Sequence, residues 1–211
     1  MKIAIVGAGN VGGALAGAAV KAGHQVTLAA SEADKAAQAA DAAGASAATS
    51  NVDAVRDADL VILAVPHGAV AGIAAELKDS LQGKVVVDST NPLNDTSSDL
   101  VTTGRSAAEE LQDALPGTPV VKAFNTIFAG RHGNPVEAGL PLDAFVAGND
   151  ADAKAKVGQL AESLGYRVID AGSLRMARSL EEMAFLNISL NATNGWAWQS
   201  GWKLVGPTDA A

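Results

Sequence analysis

The chain of 211 residues contains no cysteine. That absence removes disulfides, thiolate nucleophiles and cysteine-ligated zinc from consideration. Aromatic residues make up only 4% of a chain that is 48% hydrophobic. Much of the remainder is alanine, so the interior is expected to be built of small side chains that let helices sit close to a sheet. No apolar run approaches the roughly 20 residues that cross a bilayer, and Met1-Lys2 leads directly into an apolar segment; no membrane association and a cytoplasmic location are the expectations. Basic residues are outnumbered, 15 against 23 acidic, for a net charge of -8. This balance argues against nucleic acid or anionic membrane as a general partner and confines any phosphate site to a local arrangement. The three histidines, His24, His67 and His132, lie far apart in sequence, so no metal site is expected.

What the chain does have is glycine in a particular place. Ile3-Ala4-Ile5-Val6 runs into Gly7-Ala8-Gly9-Asn10-Val11-Gly12 and then into Gly13-Ala14-Leu15-Ala16. An apolar run that breaks into Gly-x-Gly-x-x-Gly and resumes with small residues reads as strand, tight turn and helix start, the arrangement that holds a dinucleotide pyrophosphate. Gly7 permits the turn, Gly9 leaves the backbone open to the phosphates, and Gly12 lets the helix pack against its strand. The unpaired N–H groups and the dipole at the helix start supply positive character without a lysine.

The first helix is expected over Asn10 to Lys21, with Gly23 ending it, and the second strand over Gln25 to Ala30. Beyond that strand lies the position that distinguishes the two nicotinamide dinucleotides: an acidic residue for the 2′-hydroxyl of NAD, an arginine for the 2′-phosphate of NADP. Ala30-Ser31-Glu32-Ala33-Asp34-Lys35 presents neither sign cleanly. Ser31 is open to two readings, a phosphate ligand or a helix N-cap, and Lys35 could reach back. The alanine-rich stretch from Ala36 to Ala48 carries enough polar residues for a surface helix. Leu60 to Val65 reads as a central parallel strand covered on both faces. It ends in Pro66-His67-Gly68, a loop expected at the ligand edge, where His67 is either an acid/base group or a neighbour of the ribose.

Further along, Lys84 to Ser89 reads as a strand, followed by Thr90-Asn91-Pro92-Leu93 at the same edge. Ser106-Ala107-Ala108-Glu109 is a capping box for a helix reaching about Leu115. Pro119 to Phe128 reads as a further strand and its exit, which makes Asn125, Thr126 and Ile127 candidates for the reacting end of a ligand. Arg131 to Pro135 is expected to form a lid or a connection. Asp143 to Gly148, Ala151 to Leu164 and Tyr166 to Ala171 read as strand, helix and strand. Leu174 to about Val205 is expected to be helical with a break at Gly195. Asn187, Asn191 and Asn194 share a helical face, beside an apolar stripe of Met183, Leu186 and Leu190, with Trp196, Trp198 and Trp202 at the end. A core or dimer interface explains the stripe; a wall over a ligand is compatible with it. Lys122, on a strand among apolar neighbours, is expected to be structural.

The expectation is therefore an α/β protein: a doubly wound, mostly parallel Rossmann sheet with helices on both faces and a C-terminal helical cap. Residues 1–173 form the dinucleotide-binding domain and 174–211 a cap or dimerisation segment. Over nearly its full length the chain also resembles the NADP-dependent oxidoreductases that pass hydride between nicotinamide and the deazaflavin coenzyme F-420, a family that looks like the reductase domain of membrane ferric reductases. The resemblance is carried by Ile5 to Gly12, Ala64-Val65-Pro66, Asp88 to Leu93, Ser106 to Glu109, Val121 to Ile127, Asp170-Ala171-Gly172 and Leu186-Asn187-Ile188.

The resemblance implies that Gly9, Asn10, Val11 and Gly12 hold the pyrophosphate, that Ser31 and Glu32 occupy the 2′-phosphate positions, and that Val65 and Pro66 border the ribose. Asn125 and Ile127 would lie beside the reacting rings, with Gly7, His67, Asn91 and Pro92 completing the cofactor-binding set. NADPH-preferring relatives resemble one another in carrying arginine after the serine-like residue, whereas Glu32 stands there in this chain. The cofactor is thus NADP(H), with NAD(H) as the alternative, and the second reactant is coenzyme F-420 or a flavin. A small-molecule hydride donor or acceptor and a second copy of the chain, paired through the C-terminal helices, are the expected partners. A carbonyl or imine reductase, which would need a proton donor, and a non-catalytic NADP(H)-binding sensor are the competing readings. Asn125 and His67 are the catalytic candidates.

Overall fold

The computed structural model describes residues 1–208. In chain order the elements are β1 (Lys2–Val6), α1 (Asn10–Lys21), β2 (Gln25–Ala29), α2 (Ala33–Ala43), β3 (Ser46–Ala47), α3 (Asn51–Val55), β4 (Leu60–Leu63), α4 (His67–Leu77) and β5 (Val85–Asp88). They continue with α5 (Ala107–Ala114), β6 (Val120–Lys122), α6 (Ala129–His132), β7 (Val136–Glu137), β8 (Leu140–Pro141), β9 (Asp143–Gly148), α7 (Ala151–Ser163), β10 (Arg167–Gly172) and, after a 3-10 turn, α8 (Ala177–Asn194). The main sheet runs β10-β9-β6-β5-β4-β1-β2-β3. From β3 to β6 every pairing is parallel, with Ile5 of β1 opposite Leu28 of β2 and Ile62 of β4. β9 joins β6 antiparallel and β10 follows it parallel.

Successive side chains of a strand point to opposite faces. In β1, Ile3 and Ile5 enter one apolar core with Leu15, Ala19 and Leu28, while Ala4 and Val6 enter a second with Leu77, Leu111 and Leu115. Both faces are buried, which accounts for the unbroken apolar runs of β1, β4 and β5. The expected mostly parallel, two-faced sheet is therefore the observed one.

The structure departs from the expectations in several places and decides between alternatives in others. The alanine-rich stretch is helical only to Ala43; Gly44 ends α2, and Ser46–Ala47 pair with β2 as an edge strand instead of continuing a helix to Ala48. Ser31 does not cap α2: the N-cap residue is Glu32, and no side chain accepts a capping bond there. The segment at His67 is not a loop, because Pro66 holds the N-cap position and His67 opens α4. Arg131 and His132 are not in a lid; they lie buried in the short α6, and a small β7/β8 hairpin follows that sequence reasoning did not anticipate. The C-terminal region is not helical through Val205. α8 stops at Gly195, whose φ of 64° is left-handed, and the described chain beyond it forms no helix. The asparagine face explains that reversal: Asn191 Nδ2 donates to Ser200 Oγ (2.6 Å), and Asn191 Oδ1 accepts from the Trp198 backbone N–H (3.2 Å). Leu186 and Leu190 are exposed, so the apolar stripe is no part of this chain's own core.

Candidate functional site

Because β1, β2, β4, β5 and β6 are parallel, their carboxyl ends meet along one edge, and the turn after β1 stands at its centre. Gly7 has φ of 116°, and a Cβ there would collide with the Ala64 carbonyl. A Cβ on Gly12 would strike the Gly7 carbonyl, so α1 can close on β1 only as glycine permits. Gly9 differs: a Cβ there would meet nothing within 4 Å. Gly9 is also the N-cap of α1, with no side chain capping it and no acidic residue in the first turn. The start of a twelve-residue helix is thus left open on one side, a fit for an anion that needs backbone N–H donors.

A cleft opens on each side of this turn. The outer one, about 400 Å³, is lined by Gly7, Gly9, Val65 and Pro66 together with Ser31, Lys35, Asn51 and the apolar Ala69 and Ile73. Lys35 is the cation on this wall, and its Nζ lies 2.5 Å from Glu32 Oε1. The inner cleft, about 170 Å³, is lined by Val11, Ser89, Asn91, Asn125, Thr126 and Ile127, and by Ala184, Asn187 and Ile188 from α8. The predicted residues therefore fall into two groups joined by the glycine turn. Asn10 lies outside both clefts on the exposed first turn of α1. Gly12 is a packing position, Glu32 reaches the outer cleft only through Lys35, and His67 and buried Pro92 line neither.

Two buried networks hold the inner cleft. Asn125, 6% exposed, donates through Nδ2 to Asn91 Oδ1 (2.9 Å) and to the Leu180 carbonyl of α8 (3.0 Å). Asn91 returns a bond from its Nδ2 to the Asn125 carbonyl (2.9 Å). Behind them, fully buried Lys122 Nζ donates to Asp88 (2.9 Å), to Glu181 (2.8 Å) and to the Thr90 carbonyl (2.7 Å). All three ammonium protons are committed, which bears out the structural expectation for Lys122. Burial pushes the Glu181 carboxyl upward, and Lys122 opposes the shift.

Between the networks, Phe124 takes φ of 66°, a conformation that costs a residue with a bulky side chain and turns the chain sharply out of β6. Its ring packs edge-on to His132 with centroids 6.1 Å apart. His132 Nδ1 lies 2.9 Å from the Tyr166 hydroxyl, and burial lowers the imidazole to about 4. Sequence reasoning did not single out Asn51 or the turn at Phe124. Asn51 gives no signal beyond its place at a helix start, and a left-handed phenylalanine is invisible to propensity.

A family model described as NADP oxidoreductase coenzyme F420-dependent matches residues 2–92. The F420-dependent NADP reductase of Methanothermobacter marburgensis is 32% identical over 213 residues, covering 92% of this chain and 94% of that protein. The chain belongs to this family. A crystal structure of a candidate F420-dependent NADP reductase from Arthrobacter sp. FB24 superposes with a TM-score of 0.84 at 32% identity, covering 94% of this chain and 97% of that one. The metalloreductase STEAP3 of Rattus norvegicus is 30% identical over 184 residues, covering 85% of this chain but 36% of that protein. Among the described residues no helix is long and apolar enough to cross a membrane.

Proposed function

We propose that this chain is an NADP-dependent oxidoreductase that transfers hydride between the nicotinamide and coenzyme F-420 or a flavin-like acceptor. One observation supports the reading: two clefts joined by an open glycine turn suit the shape of a dinucleotide, with its adenosine end in the outer cleft and its nicotinamide end in the inner one.

The glycine turn sits between those two ends, where a pyrophosphate would have to lie.

In this reading Gly9, Asn10, Val11 and Gly12 hold the pyrophosphate through backbone N–H groups, with Gly7 forming the turn. Val65 and Pro66 border the ribose, and Ser31 meets the 2′ position, with Glu32 acting there through its ion pair with Lys35. Asn91, Asn125 and Ile127 surround the reacting end, with buried Pro92 behind them. When bound, the nicotinamide and the second ring system supply the hydride chemistry themselves, so the protein's part is to align two faces and exclude water. The inner cleft suits that part: Ser89 donates its hydroxyl proton to the Leu63 carbonyl (2.7 Å), and Lys122 is saturated. A carbonyl or imine reductase would ask for a free proton donor, and neither group is one. The absence of arginine after Ser31 leaves NAD(H) as a competing cofactor.

Residues 174–211, of which 209–211 lie outside the described residues, act in this reading as a cap and dimerisation segment on the 1–173 domain. Exposed Leu186, Leu190, Trp196 and Trp198 support a homodimer, and sedimentation as a monomer would remove it. A cytoplasmic location accompanies this reading. The deciding experiment mixes the pure protein with NADPH or NADH and with oxidised deazaflavin, flavin and quinone acceptors, following nicotinamide absorbance. Turnover with deazaflavin or flavin is expected. Tight nucleotide binding without turnover on any acceptor would mark the chain as a sensor.

A further inference from the structure

Asn125 has one polar atom with nothing to bond. Its Nδ2 faces two acceptors, and the Leu180 carbonyl can only accept, so the orientation of the amide is determined and Oδ1 is the group turned elsewhere. That oxygen is buried and has no partner. A buried acceptor left unmet is costly, and Asn125 lines the inner cleft. No side chain of the cleft bonds it: Ser89 donates to the Leu63 carbonyl (2.7 Å), and Asn187 is engaged by Ser200, its Oδ1 accepting from the hydroxyl (2.6 Å) and its Nδ2 donating to the carbonyl (3.4 Å). A donor carried by a ligand in the cleft would meet it.

The size of the cleft narrows the ligand. At about 170 Å³ it lies well below the roughly 300–1,000 Å³ of sites that enclose drug-sized molecules, a size that suits one ring better than a fused tricycle. Of the two reactants in the proposed function, one presents a single ring bearing a primary amide. We propose that Asn125 is a specificity-determining residue that reads the nicotinamide carboxamide, its Oδ1 accepting an N–H of that amide. This assignment rests on the dinucleotide reading above. Asn91 and the Leu180 carbonyl are positioning groups, because they hold the Asn125 amide in the orientation that leaves Oδ1 free.

The test compares NADP⁺ with its 3-acetylpyridine analogue, in which a methyl ketone of similar size replaces the amide and no N–H is offered. Dissociation constants are measured by calorimetry, without a second reactant. The wild-type protein is expected to bind the analogue about tenfold more weakly or worse. Asn125→Leu should bring the two constants close together, whereas a purely structural role would weaken both ligands equally and leave their ratio unchanged. The wild-type comparison stands even if the variant fails to fold. Equal binding of the two ligands by the wild type, or a full preference retained in Asn125→Leu, overturns the assignment while leaving the proposed function intact. Binding of neither ligand overturns the dinucleotide reading and this assignment with it.

Discussion

In the outer cleft the polar side chains Ser31 and Lys35 stand in water at the start of α2, and Lys35 is held by an ion pair with Glu32 whose partners are 65% and 62% exposed. In the inner cleft Asn91 and Asn125 bond one another, and the Lys122 cluster behind them is fully enclosed. An exposed pair contributes little to stability and can exchange partners. A buried charge cluster resists any change, because losing one member strands the others. On the proposed function, one fold thus holds its reacting end in buried contacts and leaves its nucleotide-reading end in exposed ones.

The largest effect should come from breaking the buried end. Lys122→Met strands Asp88 and Glu181 without their cation and is expected to cost about 3–5 kcal/mol, read from denaturant unfolding. An unchanged midpoint would show that the cluster does not hold α8 to the sheet. Acid should act on the same end through His132. Its imidazole is kept neutral in the fold down to about 4, whereas an unfolded histidine takes a proton near 6.5. Stability from this group is therefore complete above pH 6.5 and is lost as pH falls toward 4, by on the order of 3 kcal/mol. Unfolding midpoints across that range should slope for the wild type and flatten in part for His132→Phe. An equal slope in both proteins would place the acid sensitivity elsewhere.

At the exposed end the effects should be smaller and confined to selectivity. Glu32→Arg frees Lys35 and adds a guanidinium, and is expected to raise affinity for NADPH relative to NADH by about tenfold. An unchanged ratio of dissociation constants would mean that the start of α2 does not read the 2′ position. His67→Asn should leave the rate of hydride transfer within about tenfold, a barrier change of roughly 1.4 kcal/mol. A fall of several orders of magnitude would make His67 catalytic.

The contrast between the ends also explains what could be read beforehand. The glycine turn was legible because Gly7 and Gly12 answer local steric demands, against the carbonyls of Ala64 and Gly7. α1 and β9 occupy their expected bounds because apolar periodicity and capping are local signals. The inner cleft depends on contacts between distant residues, and neither the Asn91–Asn125 exchange nor the reach of Leu180 across to Asn125 has a sequence signature. The same holds for the end of α8. Gly195 marked the break, but the side chains of Asn187 and Asn191 that turn the following segment back on the helix could be read equally well as a ligand-facing stripe.

Leu180 and Glu181 are adjacent on α8, and each closes one of the two inner networks. Their partners, Asn125 and Lys122, lie 55 and 59 residues earlier in the chain. As the polypeptide is synthesised, the glycine turn and its strands emerge well before that helix, and domains generally fold as units. The inner cleft therefore cannot close until α8 has been made. One turn of α8 is the last piece to be delivered, and it completes both networks together.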